Sequence, residues 1–171
     1  MSRLHGLDEN ITAMRARLSL IPAASVIAGS LVSLVPLIAQ APILPPLGFM
    51  IFLGWRFLRP QIWPLWAGLP LGLFDDLMSG NAIGSGMLLW TATLLAFDLA
   101  DNRAMWRDYW LDWMVATAVL TLYIVLTMAL SAFAGGGWLI APLLPQILVS
   151  ILLVPLLLRF CALLDSWRLS L

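Results

Sequence analysis

The sequence has 171 residues, of which 62% are hydrophobic and only 11% charged, whereas about a quarter of the residues in soluble domains are charged, so the composition indicates a membrane protein. Nine arginines, with no lysine, balance nine acidic residues, which excludes the strongly basic surface of a nucleic-acid-binding protein. The single cysteine and single histidine exclude an internal disulfide and most zinc or Cys–His sites.

Charge-free stretches indicate where helices cross the membrane, and each crossing needs about 20 residues. The stretch between Arg17 and Arg56 is too long for one crossing and contains a proline-rich break, so it predicts two helices. The stretch after Asp112 is also too long, and consecutive glycines at 135–137 divide it. The predicted helices cover about 18–39, 43–58, 61–77, 83–98, 110–133 and 138–160, which leaves no room for a separate catalytic domain.

The positions of the arginines support this count of helices. If the N-terminus is cytoplasmic, all nine arginines lie on the cytoplasmic side, and the opposite side carries only Asp75 and Asp76 as charged residues. The sequence therefore predicts one transmembrane domain over 18–164 with both termini in the cytoplasm. It follows an N-terminal segment at 1–17, whose apolar spacing suits a helix on the membrane surface, and precedes a C-terminal tail at 165–171.

The most informative stretch lies around the turn between the third and fourth predicted helices. Small residues and one aspartate recur there at every fourth position, namely Gly68, Gly72, Asp76, Gly80 and Gly84. On a helix they form one ridge, and small residues on such a ridge let two membrane helices approach closely. Prolines at 64 and 70 predict a kink in the third helix. Asp76 has two open interpretations: it caps the following turn around 79–81, or it contacts a partner or ligand.

A catalytic role for these carboxylates is a third interpretation, because paired aspartates can activate water for intramembrane proteolysis. The second carboxylate would be Asp98 or Asp101, and the predicted topology places both on the opposite side of the membrane, roughly 30 Å away. The sequence also contains no Gly-x-Gly-Asp element, phosphate-binding loop, metalloprotease motif or serine-hydrolase motif. The residues therefore predict a protein that is not an enzyme and holds no metal or cofactor, with an intramembrane aspartyl hydrolase as the weaker alternative.

A second motif closes the second predicted helix and opens the third. It reads W-R-x-x-R-P and consists of Trp55, Arg56, Arg59 and Pro60. Arginine side chains at a helix end reach the anionic head groups of membrane lipids. We interpret this motif as a cytoplasmic anchor in the lipid or as a contact for a partner.

The two motifs together resemble the rod shape-determining protein MreD family of bacterial inner-membrane proteins. The second family element, G-x-x-x-D-x-x-S-G-x-x-x-G, is matched here by Gly72, Asp76, Ser79, Gly80 and Gly84. The specific motifs cover 55–84, and the size and helix order cover essentially the whole predicted membrane domain. The sequence departs from the family in two ways: prolines at 45–46 stand where an acidic residue is frequent, and Asp75 adds a second carboxylate beside Asp76.

The resemblance implies a six-helix transmembrane bundle similar to the substrate-binding subunits of energy-coupling-factor transporters. It implies a non-enzymatic component of the cell-elongation machinery, the elongasome, which supports peptidoglycan synthesis and rod cell shape. The implied main partner is MreC, which would link the protein to MreB, a SEDS-type glycosyltransferase and a penicillin-binding transpeptidase. The residues expected to bind the partner are Gly72, Asp75, Asp76, Ser79, Gly80 and Gly84.

The implied fold also permits an alternative function, that of a small-solute-binding subunit of a transporter. A solute pocket needs convergent polar groups inside the bundle. The predicted helices contain serine, threonine, tyrosine and glutamine but no charge expected to be buried. These side chains are more typical of hydrogen bonds between helices.

Overall fold

The computed structural model describes residues 20–34, 44–101, 109–133, 135 and 143–170, and the regular structure within these ranges is entirely helical. Six helices are present there: α1 (Leu20–Leu34), α2 (Leu47–Leu58), α3 (Gly68–Ser79), α4 (Ser85–Asp101), α5 (Tyr109–Phe133) and α6 (Leu143–Ser170). The predicted all-α class with six helices is therefore confirmed. The predicted surface helix at 1–17 lies outside the described residues.

Two of the described helices, α5 and α6, are long and apolar enough to cross a membrane. Their apolar segments, Trp110–Phe133 and Leu143–Arg168, have mean hydropathies of 2.1 and 2.7. By contrast, α2 and α3 have 12 residues each and span about 18 Å, less than the hydrocarbon thickness of about 30 Å. Among the described helices, length and composition thus indicate membrane insertion for α5 and α6.

The third helix begins later than predicted, because the chain after Arg59 is not helical. Pro64 has an extended backbone and precedes a short 3-10 turn at Leu65–Ala67. The indole N–H of Trp63 donates to the carbonyl of Phe52 at 3.2 Å, so this segment runs back alongside α2 before α3 starts. The predicted kink at Pro70 is wrong, because Pro70 lies in the first turn of α3, where a missing N–H costs no helical hydrogen bond.

The last helix extends further than predicted. It begins at Leu143 and continues to Ser170, so the described residues of the predicted C-terminal tail are helical. At 28 residues, α6 is about 42 Å long and exceeds the hydrocarbon thickness by about 12 Å. Its length is therefore sufficient to cross the hydrocarbon layer of a bilayer, even when the helix is tilted.

The centre of the bundle is α2, whose residues from Gly48 to Arg56 are all buried. It contacts α1 through Trp55 and Ser25, α6 through Gly54 and Cys161, and α5 through Phe49. A helix that is apolar on every side belongs in the interior of a bundle. The remaining helices surround α2, and α6 presents a row of exposed leucines on the outside: Leu144, Leu148, Leu152 and Leu156.

Successive helices run in opposite directions. The amide of Gln146 at the start of α6 bonds to the carbonyl of Leu44 before α2, and Asp165 near the end of α6 pairs with Arg59 after α2, so α2 and α6 are parallel. Contacts of α1 with α2 and of α3 with α4 are antiparallel. The bundle thus has an aspartate end, containing Asp75 and Asp76, and an arginine end, containing Arg56, Arg59, Asp165 and Arg168.

Candidate functional site: the turn between α3 and α4

The backbones of α3 and α4 are in direct contact. A Cβ atom on Gly72 would lie 2.6 Å from the carbonyl carbon of Gly86, and one on Gly86 would lie 2.7 Å from the carbonyl oxygen of Gly72. Gly68 approaches the backbone of Thr91 in the same way, at 2.8 Å. The predicted ridge therefore packs against a helix of the same chain, which accounts for Gly68 and Gly72.

Asp76 caps the N-terminus of α4. Its carboxylate accepts the backbone N–H of Gly84 at 2.8 Å and that of Gly86 at 2.8 and 3.0 Å, and it accepts the hydroxyl of Ser85 at 3.1 Å. A carboxylate at this position satisfies otherwise unpaired helical N–H groups and interacts favourably with the helix dipole. Capping was one of the predicted roles, but the carboxylate accepts hydrogen bonds from residues 84–86 rather than from residues 79–81.

The turn itself, residues 79–84, depends on two glycines in the left-handed region. Gly80 ends α3 with φ of 68° and Gly84 precedes α4 with φ of 97°. No atom lies within 4 Å of a Cβ built on either glycine, so the requirement is conformational rather than steric. Ser79, Gly80 and Ile83 are exposed, the last at 77%, whereas Asp76 is 1% exposed.

Asp75 faces away from this turn and into the bundle. The hydroxyl of Ser30 in α1 donates to its Oδ1 at 2.6 Å, and the hydroxyl of Tyr123 in α5 donates to its Oδ2 at 3.3 Å. Asp75 is 3% exposed. The expectation that the helices bury no charge is therefore wrong, because the close packing of α1, α3 and α5 encloses this carboxylate.

Aromatic rings surround the Tyr123 end of this contact. The Phe49 ring stacks on Tyr123 with a centroid distance of 3.9 Å, and the indole N–H of Trp90 lies 3.5 Å from the Tyr123 oxygen. The rings of Phe52 and Trp90 are 4.7 Å apart. These rings hold the Tyr123 hydroxyl in an apolar shell, with Asp75 as its acceptor.

At the arginine end, the W-R-x-x-R-P motif joins α2 to α1, α4 and α6. Trp55 is fully buried and its indole N–H donates to Ser25 at 2.8 Å. The buried Arg56 lies over the Phe97 ring.

The second arginine of the motif forms an ion pair with α6. Arg59 is partly exposed and pairs with Asp165 at 3.0 Å, and Arg168 pairs with the same carboxylate at 2.9 Å. The half-buried Pro60 follows Arg59. Thus Trp55 and Arg56 face the interior, and only Arg59 and Pro60 remain accessible.

The sequence interpretation missed three residues of these arrangements. Asp165 was assigned to the tail, although its spacing of three from Arg168 is typical of a helical ion pair. Gly86 lies off the four-residue repeat and was not recognised as the contact of Gly72. Tyr123 was noted only as one of many polar residues in the helices, although a hydrogen-bonding group in an apolar helix is a signal for a buried partner.

Asp98 does not lie close enough to Asp75 or Asp76 to form the catalytic pair of carboxylates that an aspartyl hydrolase needs. Asp98 lies 12 residues beyond Gly86 in α4, about 18 Å along the helix axis. The side chain of Asp101 lies outside the described residues. Within the described part of the chain, no group of three His, Cys, Asp or Glu residues could hold a metal ion.

Two openings in the described structure have mainly apolar linings. A crevice of about 10 Å³ lies between α2, α5 and α6 and is lined by apolar residues such as Met50, Leu53 and Leu120. A wider depression of about 440 Å³ lies on the outer surface between α5 and α6, beside Thr117, Thr121 and Leu122. The first is about the size of one water molecule, and the second is open to the surroundings of the bundle.

Comparison of the chain with models of protein families, with curated proteins and with solved structures finds no match.

Proposed function

We propose that this protein is a non-enzymatic scaffold of the bacterial inner membrane that binds another membrane protein through the turn at 79–84. The observation that carries the proposal is the use of Asp76, whose two carboxylate oxygens accept hydrogen bonds from the main chain and Ser85. A carboxylate used in this way shapes a turn and has no oxygen aimed at a cleft. The part of the turn that remains exposed is uncharged and has Ile83 at its surface.

The proposed partner is MreC, and the proposed role is to organise lateral peptidoglycan synthesis in the rod complex. The sequence support is the resemblance of the motifs at 55–84 to the MreD family. Through MreC the scaffold would meet MreB, a SEDS-type glycosyltransferase and a penicillin-binding transpeptidase. The contacts of the motif residues agree with a scaffold: Trp55 and Arg59 join α2 to α1 and α6, and Asp76 holds the turn before α4.

The same proposal includes six membrane crossings, both termini in the cytoplasm and a fold similar to the substrate-binding subunits of energy-coupling-factor transporters. The alternating directions of the helices support it. So does the placement of the arginines, because Arg56, Arg59 and Arg168 lie together with Asp165 at the end of the bundle opposite to Asp75 and Asp76. Exposed tryptophans at the start of α5 and near the end of α6, Trp110 and Trp167, are typical of a membrane interface at the arginine end.

The test is affinity purification of the tagged protein from native membranes in mild detergent, with mass spectrometry of the proteins that accompany it. Ile83→Ser is compared with Leu152→Ser, because both side chains are 77% exposed but only the first lies in the turn. We expect MreC to accompany the wild type and the Leu152 variant, and its recovery to fall severalfold with Ile83→Ser.

Equal recovery of MreC with both variants would remove the turn from the interface. Recovery of a pair of ATPases with a transporter subunit, and no MreC, would contradict the scaffold and favour the solute-binding alternative.

A further inference from the structure

Asp75 is a buried carboxylate that connects three helices. It extends from α3 and accepts hydrogen bonds from Ser30 in α1 and Tyr123 in α5. The ion pairs of Arg59 and Arg168 are made with Asp165, at the opposite end of the bundle. A buried carboxylate is costly unless its oxygens are hydrogen-bonded, and both oxygens of Asp75 accept hydroxyl groups of neighbouring helices.

The helices are closely packed around this carboxylate. A Cβ atom on Gly48 in α2 would lie 2.8 Å from Oδ1 of Asp75 and would also overlap the Ser30 hydroxyl. Gly48 therefore allows α1, α2 and α3 to meet at one point. On the other side, the stacking of Phe49 on Tyr123 at 3.9 Å restrains the second donor.

The neighbouring carboxylate links this point to the exposed turn. Asp76 is joined to α4 by its hydrogen bonds to Gly84 and Gly86, and Asp75 is joined to α1 and α5. Because the two residues are adjacent in α3, Asp75 attaches the α3 side of the hairpin to α1 and α5, while Trp90 attaches the α4 side to α2 through the rings of Phe49 and Phe52. The position of the turn relative to α1 therefore depends on the Ser30–Asp75–Tyr123 contact.

We propose that Asp75 is a positioning residue, which through Ser30 and Tyr123 sets where the α3–α4 turn is presented at the aspartate end. The positional statement stands on the contacts alone. Its consequence, that loss of the contact weakens partner binding, rests on the proposed function.

The experiment measures the distance between α1 and the turn by pulsed electron paramagnetic resonance. Spin labels are placed on the exposed positions Leu31→Cys and Ile83→Cys, in a Cys161→Ala background that removes the native thiol. The full chain is studied in detergent and in lipid nanodiscs. Three variants each weaken the contact, namely Asp75→Asn, Ser30→Ala and Tyr123→Phe. Thr121→Val is the matched control, because its hydroxyl bonds only within α5.

We expect a longer-distance population to appear in all three contact variants and not in Thr121→Val. The ratio of the two populations should change about threefold or more, the effect of losing one interhelical hydrogen bond in a membrane protein. In an Asp75→Ala background, Ser30→Ala and Tyr123→Phe should have no additional effect, because both act through the same carboxylate.

Superimposable distance distributions in the folded contact variants would overturn the proposal, even if their thermal stability fell, because a merely structural role lowers stability without moving the turn. If Asp75→Asn does not fold, Ser30→Ala and Tyr123→Phe decide the question, since each removes only one oxygen atom. A changed distribution with no MreC recovered from wild-type membranes would contradict the proposed function and leave the positioning role standing.

Discussion

Asp75 and Asp76 are neighbours in the sequence, yet their side chains serve different parts of the fold. Asp76 accepts main-chain N–H groups of α4, and Asp75 accepts hydroxyls from α1 and α5. Adjacent residues of a helix point in directions about 100° apart, so two like side chains cannot both face the turn. Asp76, the carboxylate of the G-x-x-x-D motif, is the one that caps α4, and Asp75 is the one that meets α1 and α5.

At this scale we predict that Asp76→Ala lowers the free energy of unfolding by about 1–2 kcal/mol, the usual cost of losing a helix cap. The variant leaves the N–H groups of Gly84 and Gly86 without their acceptor in a buried position. Thermal unfolding in detergent, followed by tryptophan fluorescence, measures the change. Ser79→Ala is the control from the exposed part of the turn and should unfold like the wild type; equal destabilisation by both would argue against the cap.

Among the elements, the α3–α4 hairpin is the closest pair, since glycines on both helices let their backbones touch. The predicted role of the glycine ridge is confirmed for Gly68 and Gly72, whereas Gly80 and Gly84 belong to the turn and are needed for their positive φ. Glycine at every fourth position therefore meets two different requirements, namely close packing of two helices and a positive φ in the turn. The change from one to the other occurs where α3 ends at Ser79.

We predict that Gly72→Ala destabilises the protein by about 1–3 kcal/mol, the range for inserting atoms into a packed contact. The added methyl group meets the Gly86 backbone at 2.6 Å, and a backbone cannot yield without separating the helices. Gly54→Ala is the comparison, because its nearest neighbour is the Cys161 sulfur at 3.0 Å, a side-chain atom. Unfolding measurements should rank Gly72→Ala well above Gly54→Ala; the reverse order would contradict the backbone contact.

For the whole molecule, the contacts between helices define the direction in which each described helix runs. These directions place the charged side chains discussed above at two opposite ends of the bundle. The basic motif residues Arg56 and Arg59 gather with Asp165 and Arg168, so the arginine end carries ion pairs as well as positive charge. In the proposed topology, this end lies in the cytoplasm and the turn at 79–84 lies outside.

We predict that a cysteine at the turn, Ile83→Cys, reacts with a membrane-impermeant maleimide in intact spheroplasts. A cysteine at the arginine end, Trp110→Cys, should react only after permeabilisation, because both original side chains are exposed but at opposite ends. The buried Cys161 should stay unlabelled in both samples. Labelling of both positions from the same side would contradict the six-crossing topology.

Composition and local patterns were sufficient to predict the helical class, six helices and the existence of the turn, because apolar runs, prolines and glycines act over a few residues. The same patterns predicted that Asp76 caps a turn. They could not place the start of α3, since the backbone after Arg59 follows α2 through a contact of Trp63 with Phe52. Nor could they extend α6 through the predicted tail, where Asp165 meets Arg59 across the bundle.

The tertiary structure alone decided which polar groups meet. Ser30, Asp75 and Tyr123 are separated by 45 and 48 residues, and no local signal relates positions so far apart. Their contact exists because α1, α3 and α5 pack around α2, which Gly48 allows by lacking a side chain. Burial of a charge is a property of that packing, whereas the sequence by itself determined only that a charge was present at the end of an apolar helix.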